Sequence, residues 1–192
     1  MMQVRKMGWL RIALAVGMIA TQAQAAGPLN ITKTMRTVSD PLANTYPRNI
    51  PGAVIDYSIT VANPLSNGGA PSPELIDSIP ANTELRVDDL PLLAPVTLVG
   101  GLPIVADLAT LAAGPVDFQG TPLLNGLTYT FAGLASDADT LSFSSDNRKT
   151  WTYTPVRNAD GYDPAVTDIR LKFNTTQRAG SNYSLRFRVR LR

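Results

Sequence analysis

Four arginines at alternate positions, Arg186, Arg188, Arg190 and Arg192, form the densest chemistry-bearing array in the chain, interleaved with Leu185, Phe187, Val189 and Leu191. In a pleated strand, residues two apart project from the same face at a spacing of about 7 Å. Four guanidinium groups in a row could fork onto carboxylate, sulfate or phosphate oxygens, so the row is a candidate ligand-binding face for an anionic polysaccharide or another acidic ligand. The same row could instead guard a strand against unwanted pairing, or be neutralised by carboxylates within its own sheet. The structural use is the expectation and the ligand site its alternative.

A second set is acidic. Asp137, Asp139 and Asp146, with Asn147, flank Leu141–Phe143, and Asn158, Asp160 and Asp163 surround Gly161. Calcium needs six to eight oxygens, and loops of this kind can provide them. The second loop lacks the EF-hand register, because its first position would be Val156 and its twelfth Thr167. Asp and Asn also form turns by bonding their own backbone. Turn chemistry is therefore expected, with calcium at Asp137, Asp139, Asp146, Asp160 and Asp163 as the alternative, and no other cofactor is indicated.

Lys33 shares register with Ile31 and Met35 and is expected to point toward the core, where an isopeptide bond to Asn182 would need a buried carboxylate. Asp56, the nearest candidate, lies on the wet face of its strand. Trp151, Tyr153 and Tyr162 could offer a sugar platform, but Trp151 and Tyr153 fall on an inward face, so core packing is expected. The chain has no histidine and no cysteine. That removes the usual general base, the Ser-His and Cys-His pairs and the commonest zinc ligands, and the expectation is a protein that is not an enzyme.

The elements that must position these residues follow a leader. Arg5, Lys6 and Arg11 precede an apolar run from Ile12 to Ala20, and Ala23-Gln24-Ala25 follows it. This is the pattern of a secretory signal, with cleavage between Ala25 and Ala26, and the run is too short to span a bilayer. Residues 1–25 carry three of the 17 Lys and Arg and none of the 15 Asp and Glu, so the remainder balances 14 positive against 15 negative charges. Neither nucleic acid nor an anionic membrane is suggested by that balance. The expected location is outside the cytoplasm: extracellular, at the cell surface or in the periplasm, with no integral membrane segment once the signal is removed.

Residues 26–192 are expected to form one domain. Period-two alternation marks strands at Ala53–Val61, Leu127–Phe131, Trp151–Tyr153, Ile169–Phe173 and Tyr183–Leu191. Shorter strands are expected at Ile31–Val38, Leu75–Ile76, Glu84–Val87, Val96–Val99, Val116–Phe118 and Leu141–Phe143. Residues 90–124 are apolar and nearly uncharged, and read as an insert holding buried strands, a short helix near 106–112, or a surface for another subunit. Half-wet strands between turn clusters predict an all-β, antiparallel, two-sheet sandwich.

Three segments in order, Ile31-Thr32-Lys33-Thr34, Pro51-Gly52-Ala53-Val54-Ile55-Asp56-Tyr57-Ser58-Ile59-Thr60-Val61-Ala62-Asn63 and Ile76-Asp77-Ser78-Ile79-Pro80-Ala81-Asn82-Thr83, resemble the bacterial surface conserved-repeat family, domain of unknown function 11. Gly126-Leu127-Thr128-Tyr129-Thr130-Phe131 and Gly180–Val189 are similar to later parts of it. The resemblance implies an immunoglobulin-like exported sandwich of the cell envelope. The expected function is thus a non-catalytic structural or adhesive module, which meets other envelope or extracellular proteins or a second copy of itself. The alternative is a module that binds an anionic glycan through the arginine face.

Overall fold

The computed structural model of the chain describes residues 27–90, 115–119 and 122–192. The expected signal segment and its expected Ala25–Ala26 cleavage site, the expected strand at 96–99, the alternative of a helix near 106–112 and most of the expected apolar insert lie outside the described residues. The described chain is almost wholly antiparallel β structure. Its strands are β1 (Asn30–Ser39), β2 (Val54–Asn63), β3 (Ala70–Pro71), β4 (Glu74–Ser78), β5 (Thr83–Arg86), β6 (Val116–Gln119), β7 (Leu141–Ser144), β8 (Tyr162–Asp163), β9 (Asp168–Lys172), β10 (Thr176–Gln177) and β11 (Ser181–Leu191), with one four-residue helix, α1 (Pro122–Asn125).

Three sheets result. The largest runs β1-β2-β11-β5-β8, with β6 also on β11, while β4-β9-β7 form a second and β10-β3 a two-stranded third. β11 is long enough to pair with β2 along almost its whole length and with two strands in succession on its other side. Its Ser184–Phe187 segment meets β6, and its Val189–Leu191 segment meets β5.

Strict alternation decides which side of each strand loses water. Ile55, Ile59 and Val61 of β2 and Leu185, Phe187 and Val189 of β11 are buried, and each projects from the face opposite its polar neighbours. Leu75 of β4, Leu141 and Phe143 of β7 and Ile169 and Leu171 of β9 join them in one apolar cluster. Phe118 of β6 is its aromatic hub, 5.0 Å from Tyr129 and 5.6 Å from both Phe173 and Tyr183, measured between ring centroids. Burial of this surface is the main driving term for the fold.

The turn from β1 into β2 rests on two devices. Asp40 accepts backbone N–H groups of Leu42 (2.9 Å) and Arg48 (2.8 Å) and the side-chain amide of Asn44 (2.9 Å), which ties a loop of polar residues to one carboxylate. Gly52 has φ of 88°, a conformation suited to glycine, and a Cβ there would lie 2.6 Å from Pro41.

Two expected strands differ. Leu127 and Tyr129 are buried and Thr128 and Thr130 exposed, as alternation demands, yet residues 126–131 join no ladder among the described residues. The N–H of Thr130 donates to the Thr140 hydroxyl (3.0 Å) and that of Thr128 to the Thr175 hydroxyl (3.3 Å), so side chains replace the carbonyls of a partner strand. Around Trp151–Tyr153 a single bridge, Phe143 to Tyr153, is formed. Tyr153 packs against the core, but Trp151, expected inward, is half-exposed and stacks on Arg170, whose side chain leaves β9 on the face opposite the buried Ile169 and Leu171. Among the described residues, no helix is long and apolar enough to cross a membrane.

Candidate functional site

The arginine row faces away from the apolar cluster, and the register of the large sheet sets a carboxylate opposite each of its first three members. Arg188 lies across from Asp56 on β2, Arg186 across from Asp117 on β6, and Arg190 across from Glu84 on β5. Cross-strand neighbours of opposite charge stabilise a sheet most when they stand directly opposite. Arg188 grips Asp56 with two bonds, Nε to Oδ1 at 2.6 Å and Nη2 to Oδ2 at 2.9 Å. Arg186 Nη1 reaches diagonally to the same Asp56 Oδ2 (3.0 Å) and binds Asp117 at 3.3 Å. Arg190 donates to Glu84 (2.6 Å) and to Asp160 (2.8 Å), with its guanidinium 4.5 Å from the centre of the Tyr162 ring.

Asp56 is largely buried, at 12% side-chain exposure, and Arg186 more so, at 7%. Burial pushes the Asp56 carboxyl up, but the hydrogen bonds and charges of Arg188 and then Arg186 outweigh it and hold the group below the usual carboxylate range. Hydrogen bonds to the Asp56 carboxylate in turn raise Arg188 above its ordinary value. The result is a charge-neutralised lattice across four strands. An oxyanion approaching this face would have to displace Asp56, Asp117, Glu84 or Asp160 from a guanidinium. Arg192, past the end of β11, is the exposed member of the row.

The acidic loop residues act as turn clips and ion-pair partners. Asp139 accepts the N–H groups of Ala132 (2.8 Å) and Gly133 (3.2 Å). Asp146 accepts the Thr150 N–H (2.9 Å) and the Ser144 hydroxyl (2.8 Å), and these with the Thr150 hydroxyl lower its carboxyl to about 2. Asp163 takes the Tyr153 hydroxyl (2.9 Å) and the N–H groups of Val156 (2.7 Å) and Ala165 (2.8 Å). Burial, and then that bond, pushes the Tyr153 hydroxyl up to about 12. Asp160 is the partner of Arg190, and Asp137 stands exposed on its loop. Among the described residues no three acidic side chains gather as a metal-holding group.

A third feature is the outer edge of β1, which among the described residues pairs only with β2. Ile31, Lys33 and Met35 lie on the face that is core elsewhere in the sheet, but at this edge Ile31 and Met35 are 60% and 51% exposed. The expected inward course of Lys33 holds for its register and not for its tip. Its ammonium pairs with Asp77 at 2.6 Å and lies 4.8 Å from the Tyr57 ring centre.

Sequence reasoning anticipated that carboxylates within the sheet could face the arginines, but did not identify them. Asp56 shared the parity of the wet face, and that signal becomes useful only once β2 is known to lie beside β11. Compared with protein-family models, curated proteins and solved structures, the chain matches none.

Proposed function

We propose that this chain is a non-catalytic, exported module with an immunoglobulin-like two-sheet sandwich. It works at the cell envelope or outside the cell as a structural or adhesive part, through surface contact. The observation that carries the reading is the β1 edge, a ten-residue strand with one side unpartnered among the described residues and with Ile31 and Met35 exposed on what is elsewhere the core face. Such an edge is a template for pairing with another chain.

Further support comes from the single apolar cluster shared by the two larger sheets, from the leader-like residues 1–25, and from the resemblance to the conserved-repeat family. The arginines and carboxylates of the large sheet neutralise one another, which suits a scaffold better than general acid–base chemistry.

Fractionation with intact-mass measurement tests the export half. The expected product begins at Ala26 and lies outside the cytoplasm, and a full-length chain retained in the cytosol would overturn it. Light scattering tests the contact half. Concentration-dependent assembly should be lost in the Ile31→Asp/Met35→Asp variant, and a chain monomeric at every concentration would refute pairing through β1.

A further inference from the structure

The β4-β9-β7 sheet carries chemistry on its outer face that the arginine lattice does not use. Ile169 and Leu171 of β9 are buried, so Arg170 and Lys172 project from the opposite side, two residues apart. The Arg170 guanidinium lies 4.6 Å from the centre of the Trp151 indole, and its Nε donates to the Ser142 hydroxyl at 3.0 Å. Stacking and hydrogen bond together hold a large aromatic ring in place beside solvent.

Over this face, between residues 134–140 and 151–154, opens a cavity of about 410 Å³ lined by Trp151, Arg170, Lys172 and Asp137. A second hollow of about 210 Å³ adjoins it and shares Asp139, Thr140 and Lys172. Both are open to solvent rather than enclosed, and together they form a shallow trough along the shared residues.

Its lining selects a class of ligand. The indole offers a flat apolar surface of the kind that packs on the C–H face of a pyranose ring. Hydroxyl groups of Ser142, Thr152 and Thr154, with the Lys172 ammonium and the Asp137 carboxylate, offer donors and acceptors to sugar hydroxyls. Neither Lys172 nor Asp137 is held in an ion pair among the described residues. Arg170 pairs with Glu74 at 3.6 Å, Glu74 stands across from Lys172 in the β4–β9 register, and Asp137 and Asp139 also line the trough, so its two cations leave no positive surplus to attract a polyanion. Its openness suits a sugar chain held from one side.

We propose that this trough binds an uncharged oligosaccharide. The site is on a different sheet from the β1 edge and does not depend on export or on pairing there.

Trp9 and Trp151 are the only tryptophans in the chain, so in a full-length Trp9→Phe background the indole fluorescence reports on the trough alone. Cellohexaose and chitohexaose would be titrated as neutral probes and hexagalacturonate as the acidic comparator. A saturable change in emission is expected with at least one neutral probe. Lys172→Ala, Asp137→Ala or both should weaken it roughly tenfold, the scale of a lost hydrogen bond to a charged group. Both side chains are exposed, so circular dichroism and thermal unfolding of these variants should match the parent and separate lost binding from lost fold. No saturable response to either neutral probe, binding that neither variant weakens, or tighter binding of hexagalacturonate would overturn the assignment.

Discussion

Replacing Asp56 by alanine removes the one carboxylate that two arginines share, and the lattice geometry sets what this should cost. Three N···O contacts at 2.6, 2.9 and 3.0 Å are lost, two from Arg188 and one from Arg186. The participants are 7–15% exposed, so water does little to replace the lost partner. Breaking a buried pair from one side generally costs about 3–5 kcal/mol, because the remaining charge is left uncompensated. Arg186 keeps Asp117, which argues for the lower end, about 3 kcal/mol.

At roughly 2–4 °C per kcal/mol for a chain of this size, the melting temperature should fall by about 6–12 °C. Equilibrium urea unfolding measures the free energy directly. The internal control is Asp77→Ala, which breaks the more exposed pair with Lys33 (36% and 18% exposed) and should cost under about 1 kcal/mol. Salt in the molar range should shrink the Asp77 effect and leave the Asp56 effect nearly intact, since screening acts mainly on exposed charges. The pH dependence has a definite sign. The folded Asp56 carboxyl sits below its unfolded value, so its contribution is present above about pH 4 and disappears as pH falls through the lowered folded value. If Asp56→Ala were no more destabilising than Asp77→Ala, the view of this face as a structural lattice would be wrong.

Two more outcomes follow from the packing and the turns. Phe118→Ala should cost about 3–5 kcal/mol in urea unfolding, since it empties the hub of an aromatic group with three ring partners. The Asp40 carboxyl is lowered to about 2, foremost by the Asn44 side-chain amide and then by the Arg48 N–H. Its hold on the 40–48 loop should therefore persist above about pH 4 and fail as pH approaches 2. Asp40→Ala should remove that pH dependence, and limited proteolysis at neutral pH should then cut the loop faster.

Much of the secondary structure was legible because alternation is local. Two faces of a strand follow from the geometry of one pleated backbone, and β2, β9 and β11 lie where the period-two pattern placed them. The same pattern separated the arginines from Leu185, Phe187 and Val189 without reference to any other strand. Where a side-chain hydroxyl takes the place of a ladder partner, as Thr140 and Thr175 do beside Thr130 and Thr128, local pattern marks burial but not pairing.

The candidate sites depended on facts of another kind. Whether the arginine row faces a ligand or Asp56, Asp117 and Glu84 depends on which strands flank β11, and those residues are separated by 69 to 132 positions along the chain. Whether an apolar residue on an alternating strand is buried depends on whether a second layer extends over it. That condition is met at Phe187 and fails at Ile31 and Met35. The amino-acid order alone determined the strands and their wet and dry sides, because steric pleating acts between neighbours. The tertiary structure alone decided the charge partners and the exposed apolar edge, because strand order and layer coverage are set by contacts between distant parts of the chain.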